Sequence, residues 1–178
     1  MLKRFSPFLA LLSLTIIWAT PGAAEDAPKL LGQHKDWSAY TYGSGDSKIC
    51  YVLSEPKEML PRNATRGDVY LMVTHRPAKK VTNEISMRVG YQFSDKSNPY
   101  AEIGSDQFQM FTGVSQGGEQ AFWAWLVNQS DEARMVRAMR GGSSMIIKGT
   151  SERGTLTTDR YSLSGVSAAL DQIDKACK

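Results

Sequence analysis

Two histidines, two cysteines and a pair of tryptophans two residues apart are the side chains of this 178-residue chain best equipped for chemistry. His34 and His75 lack the spacing of a metal site, and no H-E-x-x-H, G-x-S-x-G, phosphate-binding glycine loop or dinucleotide fingerprint accompanies them. A histidine base must lie within hydrogen-bond reach of a nucleophile, and no local pattern supplies one. Glycosidase carboxylates are often distant in sequence, and here no acidic pair stands out. The eight methionines are scattered over core-like positions rather than clustered as soft metal ligands. The sequence therefore nominates no catalytic, cofactor-binding or metal-ligating residue, and the expectation is a protein that is not an enzyme and uses no cofactor.

The cysteines acquire their meaning from the N-terminal segment. Lys3 and Arg4 precede an apolar run from Phe8 to Ala19, and Gly22-Ala23-Ala24 supplies the small residues that signal peptidase accepts. Residues 1–24 are expected to be a cleaved signal peptide, 25–35 a flexible lead-in, and 36–178 one β domain. The apolar run is shorter than the roughly 20 residues that span a bilayer, so no stable membrane anchor is expected. In an oxidising compartment thiols pair. Neither Cys50 nor Cys177 sits in a C-x-x-C or beside an activating group, which favours a structural disulfide between them over a catalytic thiol or an intermolecular bridge. Without Lys3 and Arg4 the formal charge falls from +3 to +1. That balance gives no electrostatic footprint for nucleic acid, and no nucleic-acid partner is expected.

Trp123 and Trp125 share one strand face, with Phe122 on the other. Such a pair can stack on a sugar or a peptide, but Ala121, Ala124, Leu126 and Val127 around it favour burial in the core. Arg134, Arg137 and Arg140 recur every third residue, which suits a phosphate or membrane surface and equally a solvated helix face.

Positioning these groups falls to a series of short β-like runs separated by Gly, Pro, Asn and Ser, the pattern of a sandwich or barrel. Candidate strands are Trp37–Tyr42, Lys48–Leu53, Val69–Thr74, Glu84–Phe93, Gln107–Phe111, Ala121–Val127, Ser144–Gly149 and Thr155–Leu163. In the fourth, Ile85, Met87, Val89, Tyr91 and Phe93 point one way and Glu84, Ser86, Arg88 and Gln92 the other. Val69–Thr74 and Ala121–Val127 are apolar on both sides and are expected to be central or covered strands. Hairpins are predicted at Gly43–Asp46 and Ser151–Gly154, and the stretch 54–67 is the longest unpatterned loop. Two helices are predicted, Ser130–Arg140 with Ser130 as N-cap, and Val166–Ala176, whose stripe Val166, Leu170, Ile173 continues into Cys177. The fold class expected is mainly β, an antiparallel β-sandwich-like single domain with a short internal helix and a C-terminal helix.

The order Trp37, Cys50, Arg76-Pro77, Gly90-Tyr91, Ala124-Trp125, Met139-Arg140 and the run Ser151 to Gly165 leading into a helix that ends at Cys177 resembles the invasion-associated locus B family of Gram-negative bacteria. The resemblance implies a periplasmic or secreted β-sandwich-like protein, possible association with the outer membrane included, whose relatives are linked to host-cell invasion or envelope fitness. It implies no catalytic residues. The expected function is binding, with an unknown envelope or host-surface protein as partner. The alternative is a periplasmic carrier of a small hydrophobic ligand or an envelope-stress factor.

Overall fold

Alternation writes the first hairpin. In β2 (Trp37–Tyr42) Trp37 and Ala39 are buried while Ser38, Tyr40 and Tyr42 face outward, and in β3 (Ile49–Ser54) Cys50 and Val52 are buried while Ile49, Tyr51 and Leu53 are not. The period of two sends every second side chain to one face, so a half-buried pair of strands results. A computed structural model describes residues 27–178, and the expected signal peptide, 1–24, lies outside the described residues.

The remaining elements are β1 (Lys29–His34), β4 (Glu58–Leu60), β5 (Val69–Arg76), β6 (Val81–Val89), β7 (Tyr100–Ile103), β8 (Asp106–Thr112), β9 (Trp123–Leu126), α1 (Gln129–Gly141), β10 (Ser144–Thr150), β11 (Leu156–Ser162) and α2 (Val166–Ala176). The strands form one antiparallel sheet in the order β1-β2-β3-β5-β6-β9-β8-β7-β10-β11-β4. Strand β8 joins its two halves, pairing with β7 through Asp106–Gln109 and with β9 through Met110–Thr112. The sheet folds over on itself so that both halves share one core, and Trp37 Nε1 donates to the Ser162 carbonyl across the fold at 2.9 Å. The chain is thus the expected mainly β, antiparallel single domain with a short internal helix and a C-terminal helix.

Both helices sit on the core side of the first half. Helix α2 lies against β1, β2 and β3, burying Val166, Ala169, Leu170 and Ile173, and α1 lies against β6, β8 and β9, burying Met135, Val136 and Met139. Each large aliphatic side chain so removed from water is worth about 1.5–3 kcal/mol before chain entropy is counted. Cys177, just past α2, is bonded to Cys50 on β3 with a Cα–Cα distance of 6.0 Å. Beside that link, His75, the cross-strand neighbour of Cys50, bonds Asp174 of α2 at 2.8 Å.

Several expectations need correcting. Residues 29–34 are not a flexible lead-in but strand β1, paired with β2. Its alternation is broken by an irregularity between Leu30 and Gly32, and Lys35 stands at positive φ (53°) in the turn where Gly or Asn would have announced a hairpin. The long loop contains β4, and β7 was too short for periodicity to reveal. Strand β6 ends at Val89 because Gly90 turns at φ 71°, where an added Cβ would meet the Gly67 carbonyl oxygen at 2.5 Å. Helix α1 begins one residue earlier than predicted with Asn128, not Ser130, as N-cap. Residues 118–122 wind into a 3-10 turn, so β9 starts only at Trp123.

The Cys50–Cys177 bond closes a loop with a sequence separation of 127. A tether of that length removes enough unfolded-chain entropy to be worth about 4–5 kcal/mol. Replacing both residues, Cys50→Ser with Cys177→Ser, is expected to lower the unfolding free energy by about 4 kcal/mol in urea titrations. An unchanged midpoint would show that the helix is held by packing alone.

Candidate binding surface

With both helices on one side of the first half-sheet, the register fixes what the other side displays. One row across the strands runs Leu53, Met72, Ser86, Trp125, Phe111. A second runs Tyr40, Tyr51, Thr74, Glu84, and a third Tyr70, Arg88, Trp123. Tyr42 and Ile49 pair at the end of β2 and β3. Among these positions Thr74 and Ser86 are buried, Phe111 is 45% exposed and the large side chains around them are partly exposed.

The rings pack on one another. Tyr40 and Tyr51 stack at 5.2 Å, Phe111 and Trp125 at 5.7 Å, and Trp123 and Trp125 at 6.3 Å, while Tyr70 meets Trp123 edge-on at 5.6 Å. Such contacts are worth about 0.5–1.5 kcal/mol each beyond area burial. A shallow groove of about 400 Å³ runs between Tyr42, Tyr51, Met72, Trp123 and Trp125.

The charges on this face are paired. Arg76 binds Glu84 at 2.6 Å, and Arg88 binds Glu119 at 2.8 Å while covering the Phe122 ring. The hydrogen bond from Arg88 to Glu119 holds the guanidinium above its ordinary pKa, and burial raises the hydroxyls of Tyr51 and Tyr70. The phenols therefore stay neutral, able to donate and accept hydrogen bonds. In the first turn of α1, burial pushes the Glu132 carboxyl up to about 7, with the charge of Glu84 adding to the effect.

Trp123 and Trp125 are thus not core residues, contrary to expectation. Ala124 and Leu126 are the inward pair, and β9, although central between β6 and β8, is covered on one face only. The same correction applies to Tyr70 and Met72 of β5. Sequence reasoning missed Tyr40, Tyr42, Tyr51, Tyr70 and Phe111 as partners of the tryptophans. The usable signal was parity on β9, where Ala124 and Leu126 alternate with Trp123 and Trp125; on β2 Trp37 shares the core side with Ala39, and on β3 Ile49 and Leu53 share the outward side with Tyr51, so parity there does not tell the two faces apart.

The other singled-out residues lie elsewhere. Cys50 and Cys177 are structural. His34 bonds Gln172, and His75 is buried, accepting from the Asn83 N–H at 3.1 Å and bonding Asp174. The arginine series is divided: Arg134 covers Phe108 at 4.1 Å and pairs with Asp106 and Asp131, Arg140 pairs with Asp171 and Asp174, and Arg137 is exposed. It forms no single anion-binding sector. Among the described residues no group of three or more His, Cys, Asp or Glu could hold a metal ion, and no helix is long and apolar enough to cross a membrane.

Among solved structures, the chain is similar to the crystal structure of invasion associated protein B from Bartonella henselae, with a TM-score of 0.55 over 82% of this chain and 95% of that one. The two proteins share a fold. Sequence identity is 13%, so the relation to invasion associated protein B is one of architecture. No family model and no curated protein matches the sequence.

Glu132 supplies a pH test of the helix that backs this sheet. A carboxyl whose folded pKa is raised binds its proton more tightly when folded, so its favourable contribution is complete below the ordinary carboxyl value of 4.5 and is lost as pH rises through about 7. Glu132→Gln is expected to raise the thermal midpoint at about pH 8 and leave it nearly unchanged at about pH 4. Equal shifts at both values would exclude ionisation of this carboxyl as the cause.

Proposed function

We propose that this is an exported, non-enzymatic binding protein that uses its uncovered aromatic face to hold a protein of the bacterial envelope or of a host-cell surface. One observation carries the reading: the outward positions of β2, β3, β5, β6, β9 and β8 hold four Tyr, two Trp, Phe111, two Arg and Met72, and contain no lysine. That is the composition of the buried centre of protein interfaces, where aromatics, Met and Arg are enriched and Lys is depleted. Partly exposed rings gathered on one uncovered sheet face suit an interaction site.

Ring geometry favours a protein over a sugar here. A sugar stacks on a free ring face, and these rings turn their faces to one another, as in the Tyr40–Tyr51 and Phe111–Trp125 stacks. The partly exposed rings offer a partner edges, phenol hydroxyls and indole N–H groups as well. The likeness to invasion associated protein B supports the reading at the level of fold, and the expected signal peptide and the Cys50–Cys177 bond support an oxidising location such as the periplasm or the exterior.

Crosslinking in living cells, followed by pull-down with wild type and with Trp125→Ala and Tyr51→Ala, tests this. The expected result is a saturable partner whose affinity falls at least about 10-fold in each variant, a loss near 1.4 kcal/mol or more. A partner retained equally by both variants would place the binding surface elsewhere, and release of a small hydrophobic molecule on denaturation would favour the carrier reading.

A further inference from the structure

Two segments that the sequence left without a role, the loop 54–67 and the hairpin Ser151–Gly154, converge on a cavity of about 540 Å³ that reaches the aromatic face only at Phe122, the ring beneath Arg88. Its floor is held rigidly. Arg66 makes a bidentate pair with Asp159 at 2.5 and 2.7 Å, and the two side chains are 5% and 2% exposed. The same guanidinium donates twice to the Val89 carbonyl and lies over the Tyr91 ring at 5.1 Å. Tyr91 in turn bonds Thr157 at 2.7 Å, and its hydroxyl is pushed up to about 12 by burial, so it stays protonated.

A buried ion pair adds little net stability over apolar filling, whereas losing one partner costs about 3–5 kcal/mol. The effect of Arg66–Asp159 is therefore positional: it locks the end of the long loop against β6 and β11, beside Gly67, whose N–H donates to the Gly90 carbonyl at 2.8 Å. Above this floor the rim carries Asn63 and Thr65 from the loop, Gln92 from the turn after β6, and Glu152, Arg153 and Thr155 from the hairpin. None of these six side chains forms a hydrogen bond or ion pair within the described residues, and all but the half-buried Thr155 are exposed.

The volume lies within the roughly 300–1,000 Å³ of small-ligand sites, but such sites are mostly apolar and this one is not. The floor pair is neutral overall, and so is the rim, where Glu152 and Arg153 cancel. Amides and hydroxyls that both donate and accept, one carboxylate and one guanidinium match a ligand dense in hydroxyls and without net charge. We propose that this cavity binds a neutral saccharide, recognised by hydrogen bonds from the rim rather than by ring stacking. The site borders the aromatic face at Phe122 but contains none of its stacked rings, and it does not depend on the protein-binding role proposed for them.

Saturation-transfer NMR against neutral oligosaccharides terminating in glucose, galactose, mannose or N-acetylglucosamine, with sialylated and sulfated oligosaccharides as the anionic arm, tests the proposal on the oxidised protein. Asn63→Ala with Gln92→Ala changes only exposed side chains, and circular dichroism melts verify that the fold is kept. The expected result is binding of at least one neutral sugar, weakened 10-fold or more by the double variant and unchanged by Trp125→Ala. No neutral sugar bound at millimolar concentration, binding of the anionic arm only, or binding insensitive to the double variant would each overturn it. Loss in Trp125→Ala alone would overturn it too, by moving the sugar to the aromatic face.

Discussion

A β-sheet has two faces, and the described residues contain two α-helices, both seated on the same one. That asymmetry governs the first half of the molecule. Helix α2, fixed to β3 through Cys50 and Cys177 and to β5 through His75 and Asp174, takes one end of the core face, and α1 takes the other. The inward positions in the middle of these six strands are thereby buried, while Thr41, Val81, Asn83 and Thr112 at the strand ends are half-buried. The outward positions receive no helix, and the chain fills most of them with large side chains that shelter one another and bury Thr74 and Ser86 between them. The exposed aromatics are a consequence of where the helices are tied.

The second half of the sheet is organised by a different interaction. Strands β7, β10, β11 and β4 close over the core from the far side of β8, and the seam between the halves is held by Trp37 to Ser162 and by Arg66 to Asp159 and Val89. Polar groups at such a seam set position more than they add energy. They hold the long loop at one end of the molecule while the aromatic rows occupy the face of the other half, so the protein has two chemically distinct surfaces on one rigid body: one aromatic and one of amides, hydroxyls and balanced charge.

Much of the architecture was legible from residue patterns. Strands β2 and β5 and helix α2 followed from alternation and from the 4-3-4 spacing of Val166, Leu170, Ile173 and Cys177. The elements that escaped share a physical cause. In β1, β4 and β7 the backbone hydrogen bonds are contributed by neighbours, and short or irregular side-chain patterns carry no trace of them. For the site, the tryptophan pair was visible but its side of the sheet was not. Apolar residues at both parities describe a central strand equally well whether one face or both are covered, and that depends on which face the helices take, which the strand's own residues do not record. The tyrosines of β2 and β3 were decisive only once Ala39 and Val52 were known to face the core.

The disulfide has a temporal side. Synthesis runs from Cys50 toward Cys177, and the 127-residue separation means that the first thiol is made long before its partner exists. Through that interval β2, β3 and β5 can pair with one another, but the helix that covers them has not been made, and Cys50 stands reduced on an open apolar surface. Ring closure is therefore a final event in maturation. A chain interrupted before its last turn of helix would leave behind a reactive sulfur together with an uncovered core, a combination that favours capture by another molecule of its own kind.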